Sequence, residues 1–134
     1  DVAATARARG VLVNVVDRAA ASSFVMPAIL DRSPVLVAVS TGGASPTLAQ
    51  LIRARIEAAL PARIGALARL ARALRPIAAK RLPDAASRRL LWRRLLDGSF
   101  AELALAGAER EARAVFGREL ESAERAAEPR RRAG

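Results

Sequence analysis

Two groups of residues in this chain have the types and spacing to do chemistry. The first is Asp17, which directly follows the apolar run at residues 11–16, interrupted only by Asn14. In open α/β sheets the ligand crevice lies at the carboxyl ends of the strands, so a carboxylate there is well placed to take a proton. The second is Ser40, Thr41, Gly42, Gly43 and Ser45, which close a later apolar run just before Pro46. The glycines permit positive φ and close backbone approach, and Ser45-Pro46 has the types of an N-cap followed by a first helical residue. Exposed amides at such a helix start favour an anion, a phosphate or a carboxylate. Each group also has a plainer reading: Asp17 as the cap of a following helical turn, and the glycines as an ordinary strand-to-helix connection. The chain has no cysteine and no histidine. That removes disulfides, thiolate chemistry, the commonest metal ligand and the commonest general base, so acid-base work falls to carboxylates.

These residues need elements to hold them. Residues 11–16 read as a strand buried on both faces of a parallel sheet, and residues 1–9 as the end of a helix stopped by Gly10. Residues 24–30 and 35–40 are extended runs joined by Asp31-Arg32-Ser33-Pro34, which reads as a hairpin. Pro27 confines the first arm to an edge or a bulge. An edge this apolar needs a cover, which a second copy of the chain would supply.

Five helical segments follow. Residues 47–60 place Leu48, Leu51, Ile52, Ile56 and Leu60 on one face. Residues 62–74 turn Ile64, Leu67, Leu70 and Leu74 inward, and Pro76 ends or kinks that helix. Pro83-Asp84 opens a helix that buries Leu91, Trp92, Leu95 and Leu96 and exposes Arg88, Arg89, Arg93 and Arg94. Trp92 reads as a core anchor, with stacking on a flat ligand as the alternative. After Asp97-Gly98, Ser99-x-x-Glu102 has the form of a capping box. Past Gly107 a last helix, with Ala112, Val115, Phe116 and Leu120 inward, runs to about residue 127, and residues 128–134 read as a disordered tail or linker. No internal repeat is visible.

Of the 134 residues 52% are hydrophobic and 3% aromatic, so the core is built from Ala, Leu, Val and Ile. No apolar run reaches the roughly 18 residues that span a bilayer, and no signal peptide is visible, which leads us to expect a cytoplasmic protein away from membranes. The formal charge is +10, and almost all of the excess lies in residues 53–94, which carry twelve basic and two acidic groups. Such a block suits a polyanionic partner or, more plainly, a solvated arginine-rich helix surface.

The segments Asn14-Val15-Val16-Asp17, Ser23-Phe24-Val25-Met26-Pro27-Ala28-Ile29-Leu30, Asp31-Arg32-Ser33-Pro34 and Val37-Ala38-Val39-Ser40-Thr41-Gly42-Gly43-Ala44-Ser45-Pro46 stand in that order. In this they resemble the siroheme synthase family, in its precorrin-2 dehydrogenase and sirohydrochlorin ferrochelatase module. The likeness is dense over residues 11–60 and continues as helical pattern to about residue 125.

The resemblance implies an α+β fold. It would comprise the end of a Rossmann-like NAD-binding domain (residues 1–22), a β-hairpin dimerisation region (23–46), an all-helical subdomain (47–127) and the tail (128–134). It implies NAD-dependent dehydrogenation of precorrin-2 to sirohydrochlorin, followed by insertion of ferrous iron, which is a substrate. Asp17 would serve both steps as the catalytic carboxylate, with Asn14, Ser40, Thr41, Gly42, Gly43 and Ser45 at the tetrapyrrole. Many relatives have Ser-Ser-Gly-Gly where this chain has Ser40-Thr41-Gly42-Gly43, and the second serine is a phosphorylation position in some, so Thr41 is the corresponding candidate. No Gly-x-Gly-x-x-Gly follows a strand in this sequence, which places the NAD site upstream of Asp1. The resemblance also implies a homodimer, in some relatives a fused methyltransferase domain, and no protein metal site.

The substrate class accounts for the charge, since arginine pairs bidentately with the acetate and propionate groups of such macrocycles. Two other readings stay open. One is a non-catalytic dimerisation and substrate-binding module. The other is a basic helical protein that binds nucleic acid, against which stands the lack of interleaved aromatic residues and of a reading motif.

Overall fold

The computed structural model describes residues 2–15, 22–23 and 25–132. Contacts divide the chain into two compact units, residues 1–31 with 36–60, and residues 32–35 with 61–134. The described residues form six helices and one two-stranded hairpin, an α+β composition.

In the first unit, α1 (Val2–Ala8) ends at Gly10, whose φ of 68° lets its amide and that of Val11 donate back to the carbonyls of Arg7 and Ala6. The expected strand over residues 11–16 is not formed over the described part, residues 11–15. A strand exists only against a ladder partner, and these residues have none among the described residues. Instead the Val13 and Val15 amides donate to the hydroxyls of Ser23 and Ser22, at 2.6 and 2.8 Å, and Val11 and Leu12 lie exposed. The hairpin does form, as β1 (Ala28–Arg32) and β2 (Val35–Val39). Its turn is only Ser33-Pro34, joined by a cis peptide bond, so β1 runs two residues beyond the expected end. Pro27 stands just before β1 and costs the ladder nothing.

Helix α2 (Pro46–Ala59) starts where Ser45 accepts a hydrogen bond from the Leu48 amide at 3.1 Å, with Pro46 in the first turn. Arg53 ties it to β1: its Nε donates to the Ile29 carbonyl at 2.8 Å, and Glu57 pairs with its other nitrogen at 3.1 Å. The apolar face expected inward is largely bare. Leu48, Leu51 and Ile52 are exposed, and only Ala49 is buried.

The second unit is a helical bundle of α3 (Ile64–Arg81), α4 (Ala85–Leu96), α5 (Ser99–Ala106) and α6 (Glu109–Arg132). Its core holds Leu67, Leu70, Leu74, Ala78, Leu91, Leu95, Phe100 and Phe116, with Leu120. Pro76 does not end α3, which runs to Arg81. Proline costs a helix about 3 kcal/mol by losing one amide bond and crowding the turn before it. Here Leu67, Leu70 and Leu74 before it, and Ala78 and Leu82 after it, are all buried, and that burial outweighs the loss.

Asp84 caps α4, accepting from the Ser87 amide at 2.7 Å and from Ala86 at 3.3 Å. Leu96, expected in the core, is 46% exposed. The Ser99 capping box is absent, because the cap is Gly98 and Ser99 is already helical. The connection from α4 is too tight for a side chain: a Cβ on Gly98 would stand 2.8 Å from the Arg94 carbonyl oxygen. Gly107, left-handed at φ 87°, closes α5, and α6 continues past residue 127 through the segment expected as tail to Arg132. Among the described residues no helix is long and apolar enough to cross a membrane.

Candidate functional site

The Ser40–Ser45 turn is built around one hydroxyl. Thr41 Oγ1 accepts from the Ser45 amide at 3.1 Å and donates to the Ser45 carbonyl at 3.0 Å, which closes the loop on the helix it precedes. The Ala44 amide donates to the Thr41 carbonyl, and the Gly42 amide to the Ser40 hydroxyl at 3.2 Å. Gly42 and Gly43 have φ of 64° and 86°, the left-handed region that glycine enters without strain. A Cβ on Gly42 would meet nothing within 4 Å, so a ligand has open access to the backbone there. Most of the amides expected for an anion are already used inside the turn; Gly43 and Thr47 keep theirs without a protein acceptor among the described residues.

Of the other sequence-derived site residues, Asn14 is exposed and makes no hydrogen bond among the described residues. Asp17 lies outside the described residues. The structure therefore brings together Ser40, Thr41, Gly42, Gly43 and Ser45. No cluster of three metal-ligating side chains occurs among the described residues. Nor do these residues fit a dinucleotide. The glycine pair follows the second strand of a hairpin, lacks the Gly-x-Gly-x-x-Gly spacing, and has spent most of its amides on its own turn.

The arginines that sequence reasoning left unassigned sort themselves in the helical unit. Arg81 is bonded to Glu124 through two nitrogens, which raises its guanidinium pKa above the ordinary arginine value, and Arg113 pairs with Glu109 at 2.8 Å. Arg94 lies 3.6 Å from Glu119. The side chains of Arg72, Arg75, Arg89 and Arg93 have neither ion pair nor hydrogen bond among the described residues. The signal in sequence was the acid-poor stretch from residue 63 to residue 94, with Asp84 its single carboxylate.

Comparison with known proteins bears on both regions. Residues 32–59 match the family described as sirohaem biosynthesis protein central, and residues 63–120 match the sirohaem synthase dimerisation region. A siroheme synthase of Methylococcus capsulatus is 52% identical over 130 residues, covering 97% of this chain and 27% of the relative. That of Chromobacterium violaceum is 50% identical over 113 residues, covering 84% of this chain and 24% of its own length. That of Nitrosomonas europaea is 46% identical over 121 residues, covering 90% and 26%. The chain thus spans about a quarter of the length of the curated relatives it matches. With two adjoining regions matched in order and about half of its residues identical to these relatives, the chain belongs to the siroheme synthase family.

Proposed function

We propose that the protein acts in siroheme biosynthesis, on the dehydrogenation of precorrin-2 to sirohydrochlorin and the insertion of ferrous iron into that macrocycle. The observation that carries this reading is that the open Ser40–Ser45 turn falls inside the segment matching the sirohaem central family. In this reading the turn receives a carboxylate of the tetrapyrrole at the free Gly43 amide, with Asn14 nearby in sequence to Asp17. Asp17 takes the proton that must leave carbon during dehydrogenation and the pyrrole protons displaced by the metal. A dinucleotide would supply the hydride acceptor for the dehydrogenation; the residues of the turn do not fit it.

The protein acts as a homodimer in this proposal. Supporting it are the match to a dimerisation region and the bare apolar side chains of the first unit, among them Ile29, Leu36, Leu48 and Leu51. Phosphorylation at Thr41 would remove the proton that its hydroxyl donates to the Ser45 carbonyl, and so would open the turn.

The test is a visible-absorbance assay of iron insertion into sirohydrochlorin by the parent protein and its Asp17→Ala variant, with sirohydrochlorin binding followed in parallel. Loss of insertion with binding retained supports Asp17 in the chemistry. Unchanged insertion returns Asp17 to a capping role and leaves the chain a binding and dimerisation module.

A further inference from the structure

The apolar anchoring of α6 stops partway along the helix. Ala112, Val115, Phe116 and Leu120 are buried in the bundle core, whereas residues 121–128 add to it only the half-buried Ala123 and Ala127. The match to the dimerisation region ends at the same residue, Leu120. Beyond it α6 does not close down on the helices beside it. A cleft of about 630 Å³ lies between Glu124, Ala127 and Glu128 and the α3–α4 connection at Leu82, Pro83 and Asp84. A second, of about 100 Å³, lies between Ala123 and Ala126 and the α4 residues Leu90 and Leu91. A close-packed interior leaves few voids larger than a water molecule, so the end of α6 is not part of one.

Charge holds what packing does not. Arg81, the last residue of α3, donates through Nε to Glu124 Oε1 at 2.7 Å and through a second nitrogen to Oε2. A two-pronged guanidinium–carboxylate pair fixes orientation as well as distance. The rung before it is looser: Arg94 Nε stands 3.6 Å from Glu119 Oε2, a buried oxygen without a hydrogen bond. The Arg81 and Glu124 side chains are 39% and 31% exposed, so water competes for both and the pair opens at modest cost. A helical segment of about a dozen residues released from its neighbours is marginal in water and melts.

We propose that residues 121–132 of α6 form a strap, hinged after Leu120 and latched on the bundle by Arg81 and Glu124, which detaches and melts as one unit while the rest of the bundle stays folded. Release uncovers Leu82 and Leu91, which line the two clefts and are each 2% exposed in the latched form. The helical unit then has two states that differ in apolar surface, set by one ion pair. The device is independent of the chemistry proposed at Asp17.

Site-resolved hydrogen exchange of the intact chain tests this. The amides of residues 124–128 are expected to share one opening equilibrium, at least about tenfold more open than that of residues 112–120. Glu124→Gln keeps the shape of the side chain and removes its charge, and it raises exchange of the first set by about three- to tenfold. Arg81→Ala does the same, and the double variant goes no further than either single one. Residues 112–120 keep wild-type protection throughout. Equal loss of protection in residues 112–120 would overturn the proposal, because α6 would then open only with the core. So would exchange that rises smoothly from residue 124 to residue 132 without a common opening, which is ordinary fraying of a helix end. A third overturning result is effects that add in the double variant, since the two side chains would then act independently.

Discussion

Replacing Gly65 with alanine sets two effects of opposite sign against each other. Gly65 is the second residue of α3, and inside a helix alanine is favoured over glycine by roughly 1 kcal/mol, so propensity alone favours the variant. The surroundings reverse this. A methyl group at Gly65 would stand 2.4 Å from the Arg32 carbonyl oxygen and 2.5 Å from that of Ser33. Both oxygens belong to backbone at the hairpin turn and neither can rotate away. Overpacking of this kind costs about 1–3 kcal/mol, and fixed backbone puts it at the upper end. The displaced Ser33 carbonyl also accepts from Arg69 Nη1 at 2.7 Å, so moving it loosens, without fully breaking, a charge-assisted bond of the kind worth about 1.5–3 kcal/mol. The balance is a net loss of about 2–3 kcal/mol. Gly117, within α6, is the internal control: a Cβ there meets nothing within 4 Å, so Gly117→Ala keeps the propensity gain of up to about 1 kcal/mol. Urea unfolding followed by far-ultraviolet circular dichroism measures both. If Gly65→Ala raised the midpoint as Gly117→Ala does, the close packing of α3 on the hairpin turn would be refuted.

Three further outcomes are expected. Asp84→Ala removes the α4 cap and lowers stability by about 1 kcal/mol, whereas Asp84→Asn retains most of it in the same unfolding experiment. Thr41→Val deletes a hydroxyl that both accepts from and donates to Ser45, at a cost of about 1–2 kcal/mol; faster exchange of the Ser45 amide checks it, and Thr41→Ser restores protection. Arg53→Lys behaves like Arg53→Ala, each losing about 1 kcal/mol by urea unfolding. An ammonium lacks the fork that reaches the Ile29 carbonyl and Glu57 together.

Local chemistry was legible in the sequence wherever one or two neighbouring residues decide the outcome. Ser45-Pro46 starts α2, Asp84 starts α4, and Gly107 closes α5, because caps depend on side-chain type and φ alone. The hairpin was legible for the same reason, though not that its turn is two residues long. What failed depends on partners distant in sequence. Pro76 was read as an end or a kink of its helix because propensity cannot weigh the buried residues on both sides of it. The capping box at Ser99 is a local exception: Gly98 takes the cap, four residues past Arg94, whose carbonyl leaves no room for a Cβ there. Residues 11–15 carry the pattern of a strand without a ladder partner among the described residues, and the α2 face carries the pattern of a core without a cover. The exposed arginines were legible, but not which of them stay without an ion pair, because i,i+1 and i,i+4 arginines look alike in sequence whether or not glutamates face them.

The unpaired arginines also change how the free protein responds to its solvent. Lys80 is the only basic residue that is not arginine, so the charge of this surface is almost wholly guanidinium. Self-repulsion therefore persists in the free chain, relieved only by mobile ions or by a bound anion. With a screening length of about 10 Å at 0.1 M salt, added sodium chloride is expected to raise the melting temperature in this range, against the usual loss of exposed ion pairs such as Arg113–Glu109. The helical unit is in this sense a polycation, and its stability is set partly by the ionic strength around it.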